Sequence, residues 1–482
     1  MDRREMIDLQ KFLSNPNSMI VAPAGYGKTH TIVDCIEICE DSEKVLILTH
    51  THAGIASILK KISERGISPN KYHVDTICGF ALDLVRCFLL DKNILPNKND
   101  KQYFKILVVA ATNLLKAKPI QKVLSCRYNH LIVDEYQDCS IKQHSFIMML
   151  SNILSTHILG DPMQGIFTFN DTPVDMEHDE RLSVYRQNSQ RLTVPWRWIK
   201  HNALNLGLDI NCLRKKLREN CPIDLESYGQ IEFLLAKESD IYSYGSSYSS
   251  LVRTVINQSE SLLIIQPNSK NEDLRVKFIK SFPGVKMVEA LDPKLLYDYA
   301  DLLDSTDGDY LIECIVGFCE KISKKTIISQ HICGSRVKRN NKYTDNQSIE
   351  IRLNISNLIS KIHKGKSYLE IANLITYLLN IPGQKIYRYE FAQDMLRALK
   401  EAELKNSSLS DAVLIQRDKL RRRGRQVMGK VIGTTLLTKG LEFDTVLVMD
   451  AHRFATKENL YVALSRCCKR LIVVSERRYL TF

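Results

Sequence analysis

Residues 19–36 read MIVAPAGYGKTHTIVDCI, and their order decides a fold class. An apolar run of strand character leads into a loop of small residues, and apolar residues at helical spacing follow. The loop has the pattern AxxxxGK[ST], with Ala22 where a glycine is usual. Backbone N–H groups can converge on phosphate oxygens only where side chains are small, and a helix N-terminus then adds its partial positive charge. Ala24, Gly25, Tyr26 and Gly27 make up that loop. Lys28 is placed to neutralise the β- and γ-phosphates of a nucleotide, and the Thr29 hydroxyl to hold Mg²⁺. Strand, phosphate loop and helix in this order predict an α/β fold with a parallel sheet.

A second stretch answers the first. Residues 132–138, IVDEYQD, end an apolar run in two adjacent acids. Burying both Asp134 and Glu135 is costly unless a cation or a catalytic task occupies the site. With a phosphate loop upstream, Asp134 suits the Mg²⁺ of a bound nucleotide, and Glu135 suits the water that attacks it. Two acids on a solvated turn are the alternative.

Composition sets wider bounds. A chain of 482 residues, 44% hydrophobic and 25% charged, can bury a sizeable core and should form more than one domain. Its thirteen cysteines are scattered, without paired CxxC spacing, which fits reduced thiols rather than a disulfide scaffold. The N-terminus MDRREMIDLQ is charged and amphipathic rather than signal-like, and no apolar run reaches membrane-span length. A soluble, cytoplasmic protein is therefore expected. The net charge of +12 favours a polyanionic partner or simply a solvated basic face. The densest basic stretches are GSRVKRNNK at 334–342 and RDKLRRRGR at 417–425.

The glutamine two residues after the acid pair makes DEYQD resemble the second motif of UvrD/Rep/PcrA-like helicases of superfamily one. The resemblance continues in order through LTHTHAGIASI (48–58), VDTICGFALDLV (74–85), LGDPMQGIFTF (159–169), LTVPWRW (192–198), TTLLTKGLEFDTVLV (434–448) and LYVALSRCCKRLIVV (460–474). What it implies is an ATP- and Mg²⁺-dependent DNA motor. Arg197 and Arg466 match the family's arginine fingers, Gln164 its γ-phosphate sensor, Gln10 its adenine-reading glutamine and Glu442 a residue at the nucleotide sugar. Trp196 stands where the family stacks a tyrosine on the base, and His30 where it has an arginine; ordinary core packing is the alternative for Trp196 and for Trp198. For DNA, the resemblance implies phosphate contacts from Thr49, His50 and Thr76. It also implies base stacking on Phe167 and Phe169, with core packing as the alternative for Phe167. Departures from the pattern, Phe169 for tryptophan, Asn170 for arginine and Leu436 for histidine, weaken the reading of the DNA track more than that of the nucleotide site.

These motifs divide the chain into expected domains. Residues 1–190 form a first RecA-like lobe with a short helical insertion near 86–127. Residues 191–270 and 425–482 form a second lobe, and 271–424 a helical accessory insertion. The function expected is a DNA helicase or translocase of 3′-to-5′ polarity on single-stranded DNA or a 3′-tailed duplex. The alternative is a DNA-gated regulatory ATPase that switches a partner without processive unwinding. The compact build and short insertions are also similar to the GajB-like helicase components of Gabija anti-phage systems. That likeness implies an OLD- or TOPRIM-type nuclease partner, in phage defence or DNA repair, with 271–424 as the candidate docking surface.

Overall fold

The computed structural model describes residues 7–89, 102–167, 172–267, 272–289, 294–341, 344–423 and 427–482. The chain divides into two compact units, one of residues 1–252, 259–269 and 434–482, the other of 253–258 and 270–433.

The apolar runs become strands. In the first unit these are β1 (Asn17–Val21), β2 (Val45–Thr49), β3 (Tyr72–Thr76), β4 (His130–Val133), β5 (Ser155–Gly160) and β6 (Ser189–Arg191), in the spatial order β3-β2-β4-β5-β1-β6. Every pairing is parallel. All five residues of β2 are buried, as expected of a strand covered on both faces. One face packs Leu46, Leu48, Leu131, Val133 and Ile158 with the helices Ile77–Phe88, Tyr103–Leu114 and Ile141–Ser151. The other packs Ile20, Ile47, Ile132 and Leu159 with the helix Lys28–Ile38 that follows the phosphate loop. The carboxyl ends of β1, β4 and β5 therefore open on one edge, where open α/β sheets bind ligands.

The first unit also holds a second parallel sheet, in which Phe443–Val448 pairs with both Leu262–Ile265 and Cys467–Ser475, and the latter with Ile231–Leu235. In the second unit Lys286–Met287 pairs in parallel with Lys430–Gly433. The expected α/β architecture of two parallel sheets with flanking helices is thus observed. Lys286–Met287 falls inside the segment read as helical, because two residues are too few to register as periodicity.

Helices dominate the rest of the second unit. Their apolar stripes, including Ile312, Ile315 and Phe318 of Gly308–Ile322 and Phe391, Met395 and Leu399 of Tyr389–Lys405, share one core. Within it the ion pair Arg388–Glu289 is almost wholly enclosed. Residues 334–337, which begin the basic 334–342 stretch, form part of a hairpin, Ile332–Cys333 against Arg336–Val337, turning at Gly334 with φ +57°, and residue 342 lies outside the described residues. Among the described residues no helix is long and apolar enough to cross a membrane.

Candidate active site

The phosphate loop leaves β1 and enters the helix Lys28–Ile38, with Gly25 at φ +76° and Gly27 at φ +95°. Both glycines are required twice over. A Cβ at Gly25 would lie 2.9 Å from the Arg197 side chain, and one at Gly27 3.1 Å from the Trp196 indole, in addition to the left-handed backbone. The loop is held from the segment 192–198 and from the helix Lys457–Leu464, for the Arg197 N–H donates to the Gly25 carbonyl (3.0 Å) and the Ala24 N–H to the Tyr461 hydroxyl (3.1 Å).

Lys28 is buried, donates to the Ala22 carbonyl and stands 3.8 Å from Glu135. Glu135 has a left-handed backbone at φ 54°, a strained conformation for a residue with a Cβ, and its N–H donates to Asp134 Oδ1 at 2.9 Å. Gln137 donates its amide N–H to Glu135 and accepts from the Asp161 N–H. The two acids are electrostatically unequal. Burial, then the neighbouring Glu135 charge, pushes Asp134 up to about 7. Burial alone would raise Glu135 too, but Lys28, Lys439, the Gln137 hydrogen bond and Arg466 together hold it down at about 2. Two adjacent carboxyls at the end of β4 and the Thr29 hydroxyl at the start of the neighbouring helix are oxygen donors of the kind a hard divalent cation takes, and its charge there would favour ionised Asp134.

Positive charge gathers around this pair. Arg197 donates to the Ser465 carbonyl and to Glu442 Oε1 (2.7 Å). Arg466 is 2% exposed and donates to the Val462 carbonyl and the Ser465 hydroxyl. Burial, followed by the Arg197 charge, lowers Arg466 to about 10. Two guanidiniums pressed together in a dry place form a site that an anion would relieve. Gln164 is buried, with its amide on Asp161 (3.0 Å).

A family model for an AAA domain matches residues 4–170. That stretch carries the phosphate loop and the acid pair. An ATP-dependent helicase/nuclease component of Streptococcus uberis is 26% identical over 112 residues, which are 23% of this chain and 9% of that protein's length. Among solved structures, the Pif1 helicase from Candida albicans is similar at 13% identity and a TM-score of 0.35, covering 99% of this chain and 95% of that one. The arterivirus nonstructural protein 10 helicase in complex with DNA is similar at 9% identity and a TM-score of 0.35, covering 96% of this chain and 63% of that one.

The remaining predicted residues are placed unevenly. Trp196 is 47% exposed above Gly27, whereas Trp198 is fully buried and belongs to the core. His30 and Gln10 are exposed, one on the helix after the loop and the other on the short helix Leu9–Ser14. Thr49 and Thr76 end β2 and β3 but are buried, and the Thr76 hydroxyl is taken by the Gly79 N–H in capping the next helix. His50 contacts the Cys139 sulfur at 3.4 Å. The Phe167 ring lies 4.5 Å from the Lys439 ammonium. Phe169 lies outside the described residues.

Several participants escaped the sequence reading. Lys439 donates to both oxygens of Asp138 and to the Gln164 carbonyl, each at 2.6 Å. Arg214 forms a buried pair with Asp161 at 2.5 Å, and its guanidinium lies over the Tyr461 ring at 5.8 Å. Lys439, Tyr461 and Asp161 sit inside the quoted motifs and could have been tested for burial. Arg214 is one of three consecutive basic residues, with Lys215 and Lys216, and nothing in the sequence says which turns inward.

Proposed function

We propose that this chain is an ATP-dependent DNA helicase or translocase of the superfamily-one, UvrD-like type, moving 3′-to-5′ on single-stranded DNA. The observation that carries the reading is the convergence of Lys28, the acid pair Asp134/Glu135 and the guanidiniums of Arg197 and Arg466 on the edge where β1 and β4 end. The ordered motif set and the AAA-domain match support it.

On this reading ATP is the substrate, and its phosphates lie on the loop N–H groups and Lys28. Thr29 and Asp134 would hold Mg²⁺, which would supply charge neutralisation on the phosphate oxygens. Glu135 accepts a proton from the attacking water and orients it. Arg197 and Arg466 present their charge where negative charge grows in the transition state, and Gln164 and Lys439 tie that event to the motif beside Phe167. The protein works in the cytoplasm beside a nuclease of OLD or TOPRIM type, in phage defence or DNA repair. The name of the Streptococcus uberis relative, which couples helicase with nuclease, agrees with that pairing.

The test is ATP turnover by the full chain with and without single-stranded DNA, RNA and duplex ends. Single-stranded DNA should stimulate most. Lys28→Ala and Glu135→Gln should each abolish turnover while leaving the thermal transition in place, and Glu135→Gln should still bind ATP. Near-normal turnover in either variant would remove the assignment.

A further inference from the structure

At the amino ends of the first sheet's strands, on the edge opposite the phosphate loop, three side chains of different chemistry meet. Cys39 closes the helix Lys28–Ile38, Glu43 lies in the turn before β2, and His130 begins β4. One ligand atom from each lies within 4.8 Å of the others.

Hydrogen bonds fix the state of the imidazole. The Ser18 hydroxyl spends its proton on the Phe12 carbonyl (2.8 Å), so toward His157 Nδ1 (2.7 Å) it can only accept. His157 must therefore carry its proton on Nδ1, and as a neutral ring, fully buried, it offers a lone pair at Nε2. His130 Nδ1, 3.0 Å from that lone pair, must donate. In the neutral ring the lone pair is then at His130 Nε2, turned toward Glu43 Oε1, 3.6 Å away. Glu43 is oriented as well, since its other oxygen accepts from the Glu40 N–H at 2.9 Å. The Lys71 ammonium is engaged by the Cys39 carbonyl (2.6 Å) and Asp41 (3.1 Å). The neutral ring thus presents a nitrogen lone pair to a carboxylate oxygen and a sulfur.

We propose that Cys39, Glu43 and His130 bind a divalent ion of the Zn²⁺ class, with His157 and Ser18 as positioning residues that set the His130 tautomer. Sulfur, imidazole nitrogen and carboxylate are the Zn²⁺ ligand types, and ligands at bond lengths of ~2.0–2.2 Å on a tetrahedral ion lie about 3.3–3.6 Å apart. The His130–Glu43 separation already has that value. A metal-bound histidine usually gives its other N–H to a fixed acceptor, as His130 does here. On binding, the sulfur–metal bond forms as the Cys39 thiol proton passes to water, and a water molecule completes the fourth position. The site joins the far end of the helix that carries Lys28 to the strand that ends in the acid pair.

The experiment uses the full chain, stripped with chelator and kept in excess Mg²⁺ so that the acid pair is not available to the probe. Titration with Zn²⁺ should show one equivalent bound, and Co²⁺ should give a thiolate-to-metal charge-transfer band, which requires a sulfur ligand. Cys39→Ser should abolish the band and weaken binding ~100-fold or more, while Cys126→Ser, at an exposed thiol, should change neither. Glu43→Gln should keep the band and lose ~10-fold or more in affinity, and it decides the matter should Cys39→Ser fail to fold. A band that survives Cys39→Ser, or the absence of stoichiometric binding, would overturn the proposal. The second result would mean that His130 takes a proton and pairs with Glu43 instead.

Discussion

Lys439 uses all three of its ammonium protons on two partners, both oxygens of Asp138 and the Gln164 carbonyl, and its side chain is 7% exposed against 2% for Asp138. Its value differs in kind from that of a surface pair such as Lys469–Asp444, exposed 52% and 42%, where solvent and lost side-chain freedom leave about 0–1 kcal/mol. Removing Lys439 strands a carboxylate inside the protein. Lys439→Ala should therefore cost about 3–5 kcal/mol, read as a fall in the urea midpoint, and the double variant with Asp138→Asn should recover much of it. Recovery of nothing would mean that the Gln164 contact, not the charge, carries the loss. Lys439 also shows where reading a sequence stops. The segment TTLLTKGLEF was legible as a motif, but no local pattern states that its lysine meets an acid 301 residues earlier.

At the scale of elements, the phosphate loop is held by pieces that are remote in sequence. Tyr461, on the helix Lys457–Leu464, reaches the Ala24 N–H and lies beneath Arg214 from the helix Leu204–Arg218, which in turn clamps Asp161 at the end of β5. Tyr461→Phe removes one oxygen and leaves the ring. It should destabilise the fold by about 1–3 kcal/mol, the cost of a buried N–H left without its acceptor, and it should weaken nucleotide binding, checked by calorimetry of nucleotide titration. An unchanged affinity would show that Arg197 alone positions the loop through Gly25. Elements bearing continuous apolar runs or strong helical periodicity, such as β2 and the helix Tyr389–Lys405, were legible in advance because burial on a regular lattice repeats in the sequence. Elements of two or three residues, such as Lys286–Met287 and β6, were not, since so short a run holds no period.

Two buried histidines contribute to the response of the whole molecule to acid. His144, bonded to the Tyr136 hydroxyl at 2.6 Å, is held at about 4 by burial and then the Arg181 charge; His157 is held at about 3 by burial and then the His130 charge. Both folded values lie below the ordinary value of 6.5, so the stability they contribute is complete above pH 6.5. It is lost as pH falls toward the folded values, because the unfolded chain takes up protons that the folded chain refuses. Each should cost about 1.4 kcal/mol per pH unit below 6.5. Asp134, Asp138 and Asp450, raised to about 7 chiefly by burial, act in the opposite direction over the same range, so the test is a difference: the gap in urea midpoint between the chain and His144→Gln, measured at pH 7, 6 and 5, should shift by one proton's worth in favour of the variant as pH falls, and a constant gap would assign the acid response elsewhere. At this scale the parallel sheet with a glycine loop between β1 and its helix was the most legible part, because such a loop forces small residues at particular spacings. The pairing of β1 with β5 and β6 rather than with β2 was not, because strand order depends on crossovers of similar length and composition.

The long separation of Asp138 from Lys439 also has a temporal meaning. A ribosome adding about 5–20 residues each second needs roughly 15–60 s to travel the 301 residues between them. From residue 191 onward the first sheet can assemble, with Lys28 and both acids in place, while the cation that neutralises Asp138 and the guanidinium of Arg466 do not yet exist. On the function proposed above, the order in which the chain is written would hold back part of the charge that hydrolysis calls for. A prematurely ended chain that stops before the strand Phe443–Val448 should on that reading bind nucleotide without turning it over.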